Sequence, residues 1–184
     1  MIDPFVYQEA LDLMELHRSE GRDIYIVSSS PEEVVRPLAQ HFGVAGVLAT
    51  RARIEDGRYT GELEFYCYGE GKAEAIRSLA QDRGIDLGSS YAYSDSSTDL
   101  PMLRTVGHPV AVNPDKELRK EAEAKGWDIR DFRRPVRLRT RIVRTAAHPR
   151  TRVAAGLVAA TAAAAIVLWL VVRSRLSDRR ATAA

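Results

Sequence analysis

The sequence predicts an α/β fold, a mostly parallel sheet covered by helices on both faces. Three observations predict it. Short apolar runs that read as strands alternate with longer runs of helical period, and the connections between them are short. Two of the strand runs, ending at Val27 and Tyr93, pass directly into small hydroxyl residues and then into a helix. The composition, 45% apolar and 28% charged over 184 residues, suits one compact core plus an appendage.

Apolar residues at Phe5, Val6, Ala10, Leu13, Met14 and Leu16 predict a helix over Asp3–Arg18, stopped near Gly21. Asp23–Val27 reads as a strand that runs into Ser28-Ser29-Ser30. Pro31–Phe42 is predicted helical, with Ser30 at the N-cap, Pro31 in the first turn and Glu33 completing a capping box. Asp56-Gly57 centres a hairpin over Arg51–Phe65. Lys72–Arg83 is predicted helical and stops at Gly84. Tyr91–Ser94 is a strand, Pro101–Val106 a short helix and Val110–Val112 a strand. A helix over Lys116–Lys125 and a strand over Trp127–Ile129 complete the series. Cys67, the only cysteine, excludes an internal disulfide and is read as packing within Leu63–Tyr68. His17, His41, His108 and His148 have no metal-ligand spacing and are read as structural.

Charge divides the chain. Residues 1–132 hold 15 Lys+Arg against 24 Asp+Glu, whereas residues 133–184 hold 12 Arg against Asp178 alone. Within the second part, Val153–Val172 (VAAGLVAATAAAAIVLWLVV) has no charge over twenty residues. As a helix it would be about 30 Å long, the thickness of a bilayer's hydrocarbon core. Arg150 and Arg152 precede it, Arg173 and Arg175 follow it, and Trp169 sits near one end. The predicted organisation is therefore a globular domain over 1–132, a basic juxtamembrane linker over 133–152, a transmembrane helix over 153–172 and a short basic tail over 173–184. Eight Arg precede the span and four follow it, which places the globular part on the cytoplasmic side of a single-pass protein. Met1-Ile-Asp-Pro4, with no basic and apolar leader pattern, agrees. The arginines then face anionic lipid, and with no recognition module beside them no nucleic acid is expected.

In open α/β sheets ligands sit outside the carboxyl ends of the strands, and Ser28 and Asp95 both fall there. Asp95 and Asp99, with hydroxyl residues between them and no histidine or thiol nearby, suit a hard cation such as Mg²⁺. Helix capping by Thr98 or Asp99 is the structural alternative. Ser28 and Ser29 lead into a helix N-terminus, a ready phosphate site, while Ser30 alone would be only a cap. Lys72 opens a helix against the dipole, so it has a claim to neutralise phosphate instead. Gly69-Glu70-Gly71-Lys72 is not a P-loop, because Tyr66 stands where its first Gly belongs and Ala73 where its Ser or Thr belongs.

Taken in order, a strand ending in Ser28, a helix-opening Lys72 and the run Ser94-Asp95 to Asp99-Leu100-Pro101-Met102 resemble the haloacid dehalogenase superfamily of phosphatases. The pattern is nearest its phosphoserine-phosphatase-like subfamily and covers residues 3–132. The resemblance implies a Rossmann-like sheet, with Ser28 and Ser29 binding phosphate, Lys72 offsetting its charge, and Asp95 and Asp99 as the acidic residues of a Mg²⁺ site. Ser94 and Thr98 are mild departures, standing where relatives often have Gly and Asn. The superfamily's first motif, Asp-x-Asp, supplies the attacking carboxylate and a general acid/base. No Asp-x-Asp occurs in the 184 residues. The resemblance places it on a central strand between those of Ser28 and Asp95, ahead of this chain. The expected function is thus a membrane-anchored, Mg²⁺-dependent hydrolase of a small-molecule or lipid-linked phosphate ester, inactive without that motif. The alternative is a membrane-tethered phosphate-binding remnant.

Overall fold

The computed structural model describes residues 5–137 and the pair Val171–Val172. The elements in order are β1 (Phe5–Tyr7), α1 (Gln8–Ser19), β2 (Ile24–Pro31), α2 (Glu32–Phe42), β3 (Gly46–Glu55), β4 (Arg58–Phe65) and α3 (Glu70–Arg83). They continue with β5 (Tyr91–Ser94), α4 (Leu100–Leu103), β6 (His108–Val112), α5 (Lys116–Lys125), β7 (Asp128–Arg130), β8 (Pro135–Arg137) and β9 (Val171–Val172).

The strands lie in the order β4-β3-β2-β9 and, separately, β5-β6-β7, with β1 and β8 forming a small antiparallel ribbon. β2–β3, β5–β6 and β6–β7 are parallel, and β3–β4 is antiparallel. Ile24 to Val27 are all buried, which is the mark of a strand covered on both faces. Their side chains alternate between layers as a period of two requires. Ile24 and Ile26 pack with Leu13, Met14 and Val35 of α1 and α2. Tyr25 and Val27 pack with Ile76, Met102 and Leu118 of α3, α4 and α5. The predicted α/β class is what forms.

The elements follow the sequence signals closely at their stops. Gly43, Gly84 and Gly126 each end a helix in the left-handed region, and Asp56 and Gly57 both have positive φ, the geometry of a two-residue hairpin turn. Two local predictions need correction. The helix expected from Asp3 begins only at Gln8, because Phe5–Tyr7 pairs instead with Pro135–Arg137. That pairing carries the folded unit on through Arg137, into the stretch read as basic linker. The capping box of Ser30 and Glu33 does not form. β2 runs on to Pro31, which pairs with Thr50 and becomes the N-cap of α2, with no side-chain cap bond.

The predicted span over 153–172 lies outside the described residues except for its last two. Where helix is expected through Val172, Val171 and Val172 are extended and pair antiparallel with Tyr25 and Ile24. The physical reason is the edge they meet: among the described residues β2 has no other partner on that side, and two β-branched residues satisfy part of it. Among the described residues no helix is long and apolar enough to cross a membrane.

A polar cluster ties α1 to the sheet. Buried His17 sits 2.7 Å from the Tyr93 hydroxyl through Nε2 and 2.9 Å from Arg22 through Nδ1. Burial first, then the charges of Arg22 and Arg130, push its pKa down to about 4. His17 is therefore neutral near pH 7, with Nδ1 accepting from Arg22 and Nε2–H donating to Tyr93. This bears out the structural reading of that histidine.

Candidate active site

Asp95 follows a strand end, as expected, and the chain between and after Ser28 and Asp95 converges there. Ser28 is partly buried within β2, at the last pair before the register shift, and its Oγ accepts the Ser30 N–H at 3.2 Å. Ser29 is exposed. The β2–β3 register shifts between Ser28 and Pro31, so these serines bulge out of the ladder beyond the buried run.

Lys72 lies in the first turn of α3, behind a loop only glycine permits. Gly69 has φ +53 and ψ −118, and a Cβ at Gly71 would sit 2.2 Å from the Tyr66 carbonyl oxygen. The tight loop turns Lys72 inward, where it is only 5% exposed. Its Nζ lies 2.7 Å from Asp99 Oδ1. Asp99 is 3% exposed, its Oδ1 meets no hydrogen-bond donor beyond that ammonium among the described residues, and its Oδ2 lies 3.3 Å from Ser94 Oγ.

The capping alternative for Asp99 fails, because it makes no side-chain cap bond to α4. Ser96 caps the 3₁₀ turn Ser97–Asp99 by accepting from Thr98 N, which frees Asp99 for Lys72.

Among the described residues Asp95 has no such cation within ion-pair distance. Burial first, with the Asp99 and Asp115 carboxylates adding to it, holds its pKa above the ordinary range, against the pull of Lys72. Cys67 is fully buried beside this group. Burial pushes its thiol up to about 11, while Lys72 and the Ser28 backbone pull the other way. It is a packing residue, as read, although β4 stops at Phe65 and Cys67 lies in the loop beyond it rather than in the strand run expected over Leu63–Tyr68.

Two contributors escaped the sequence reading. Asp115 accepts from Leu118 N at 2.8 Å as the N-cap of α5, and from Ser97 N at 2.6 Å. Its own N–H donates to the Asp95 carbonyl at 2.7 Å, so it braces the acidic loop. The capping rule could have found its first role but not its second. Thr50 is buried on β3, donates to the Ser29 carbonyl at 2.8 Å and accepts from Cys67 N at 3.2 Å. Nothing in its sequence context signals this.

The family model for haloacid dehalogenase-like hydrolases matches residues 1–104, more than half of the chain. The chain belongs to that family.

Several curated proteins are similar to this chain. An "inhibition of morphological differentiation protein" of Streptomyces azureus is 52% identical over 95% of this chain and 64% of its own length. A probable phosphatase of Mycobacterium tuberculosis is 51% identical over 94% of this chain and 60% of its own. A phosphoserine phosphatase of the same organism is 41% identical over 70% of this chain and 42% of its own. The chain thus spans less than two thirds of the length of these relatives. Among solved structures, a substrate-bound phosphoserine phosphatase superposes with a TM-score of 0.55 at 23% identity, covering 68% of this chain and 58% of that one, a likeness of fold.

The donors present fit a hard cation in kind. Asp95, Asp99 and Asp115 offer only oxygen, and the Asp95 pKa is raised by burial first and by the Asp99 and Asp115 carboxylates after it. They do not complete a site. Among the described residues no three His, Cys, Asp or Glu side chains converge on one point.

Proposed function

We propose that this chain is the phosphate-binding and acidic part of a phosphatase acting on a small phosphate monoester. The observation that carries the reading is the buried Lys72–Asp99 pair, with Lys72 acting on Asp95 beyond β5 and, with the Ser28 backbone of β2, on Cys67. Ser28 and the backbone of Ser29 would hold the phosphoryl oxygens. Lys72, aimed by Asp99, would offset charge that grows on them in the transition state. Asp99 has both oxygens occupied, which makes it the orienter of Lys72; Asp95 would then be the metal carboxylate. Mg²⁺, when bound, would supply charge compensation and orientation of the phosphate. The attacking carboxylate would come from an Asp-x-Asp strand that these residues lack, seated between β2 and β5, to give an aspartyl-phosphate that water then cleaves. The names of the relatives favour a phosphoserine-like substrate.

In the full-length protein, Asp95→Asn is expected to lower kcat and to raise the Mg²⁺ concentration for half-maximal activity. Full activity of that variant in chelator would remove Asp95 from the metal site. The remnant reading rests on one observation, the absence of Asp-x-Asp from the 184 residues. An in-frame Asp-x-Asp in the genomic sequence ahead of Met1 decides against it.

We also propose that Val153–Val172 anchors the protein in a membrane by one pass, with the phosphatase part on the cytoplasmic side, an arrangement in which Val171–Val172 leave the edge of β2 and the Asp-x-Asp strand takes their place. Its uncharged length and arginine flanks support this. Deleting residues 150–184 is expected to move the protein from the membrane to the soluble fraction. Recovery of the undeleted protein in the soluble fraction without detergent would exclude the anchor.

A further inference from the structure

Thr50 is buried, on a strand that contributes no expected site residue, and yet its hydroxyl touches both loops of the site. We infer that Thr50 is a positioning residue that fixes which way the Ser28 hydroxyl points its proton. The inference rests on the phosphatase reading above.

The chain of bonds runs through four groups. Cys67 N–H donates to Thr50 Oγ1 at 3.2 Å, so one lone pair of that oxygen is taken and its own proton is directed elsewhere. That proton goes to the Ser29 carbonyl, 2.8 Å away. The Ser29–Ser30 peptide is planar and trans, so holding its carbonyl on one side holds the Ser30 N–H on the other. The Ser30 N–H donates to Ser28 Oγ at 3.2 Å. With an acceptor site of Ser28 Oγ filled by a backbone donor, the hydroxyl is left to present its O–H outward, as a phosphoryl oxygen requires.

The bulge explains why a side chain is needed. Across it the β2–β3 register passes from Ser28↔Ala49 to Pro31↔Thr50, so Ser29 and Ser30 have no ladder partner of their own to fix their peptide. Thr50 stands opposite the bulge and supplies the bond from its side chain. The other end of the relay, Cys67, opens the glycine loop that delivers Lys72. One hydroxyl therefore sets the separation of the two phosphate-facing elements, and a small misplacement there is costly because positioning is a large part of the rate.

The test uses the full-length protein. Thr50→Val keeps the shape and removes the hydroxyl, and Thr50→Ser restores it. Thr50→Val is expected to lower kcat/KM by about 10- to 100-fold and to weaken inhibition by inorganic phosphate in parallel. Thr50→Ser is expected to recover most of both. The decisive reading is coupling: in a Ser28→Ala background, Thr50→Val should cost little further, because its effect passes through Ser28. An equal loss in both backgrounds overturns the inference, as does a Thr50→Val protein that melts earlier yet turns over like wild type when folded. If Thr50→Val does not fold, Thr50→Cys replaces it, and unimpaired phosphate inhibition by that weaker donor overturns the inference. If the wild-type protein is not a phosphatase, the proposed function fails, and binding of inorganic phosphate followed by ³¹P NMR still reads Thr50. Equal phosphate binding with and without the hydroxyl, or no binding by wild type, then overturns this inference too.

Discussion

The 184-residue chain alone is expected to hydrolyse an aryl phosphate at least about 10⁴-fold more slowly than the same chain preceded by an Asp-x-Asp strand, with Mg²⁺ present in both assays. Ser28, Lys72 and Asp95 can hold and neutralise a phosphate, but none of them is placed to form the covalent intermediate. The loss of a nucleophile from a unit of this kind removes most of the rate and leaves only what binding and electrostatics supply. The sheet adds a second cost. β2 and β5 are not paired with each other, and β9 reaches only Ile24 and Tyr25 on the free edge of β2. Among the described residues no strand lies beside Ile26, Val27 and Ser28 on that side, where backbone groups at the site mouth need partners. Restoring the strand is therefore expected to raise the unfolding midpoint and the rate together. Robust turnover by the chain alone, abolished by Asp95→Asn, would mean that the nucleophile lies within these residues.

Lys72→Met and Asp99→Leu are each expected to destabilise the full-length protein by about 3–5 kcal/mol, because each leaves a buried charge without the opposite charge that offset its desolvation. The pair is 2.7 Å apart, with side chains only 7% and 4% exposed, so water cannot compensate. The double variant Lys72→Met/Asp99→Leu is expected to recover most of that stability, since both charges are gone and the volume is roughly kept. Activity should not return with it. Denaturant unfolding and initial rates, measured on all four proteins, separate the two roles. Activity recovered along with stability in the double variant would show that the pair is structural and that Lys72 does not act on phosphate. Strictly additive stability losses would show that the two do not interact as the geometry requires.

The sequence by itself determined the class of fold and most of its elements. Period-two and period-3.6 runs, glycine stops at Gly43, Gly84 and Gly126, and the Asp56-Gly57 turn are local signals, and each acts through a few neighbouring residues. It also marked Ser28, Lys72, Asp95 and Asp99, because their spacing along strand ends and helix starts is itself the signal. Tertiary structure alone decided what those residues do to one another. Asp99 reads equally well as a cap or a ligand until α3 brings Lys72 within 2.7 Å of it. The capping box at Ser30 is locally sound, and it gives way because pairing with Thr50 carries β2 on to Pro31. Phe5–Tyr7 reads as helix until Pro135–Arg137, from the far end of the domain, takes it into a ribbon. Thr50 and the second bond of Asp115 were invisible for the same reason. Their partners Ser29, Cys67 and Ser97 stand 17 to 21 residues away in sequence, and only the folding of one strand or loop over another puts a donor opposite its acceptor.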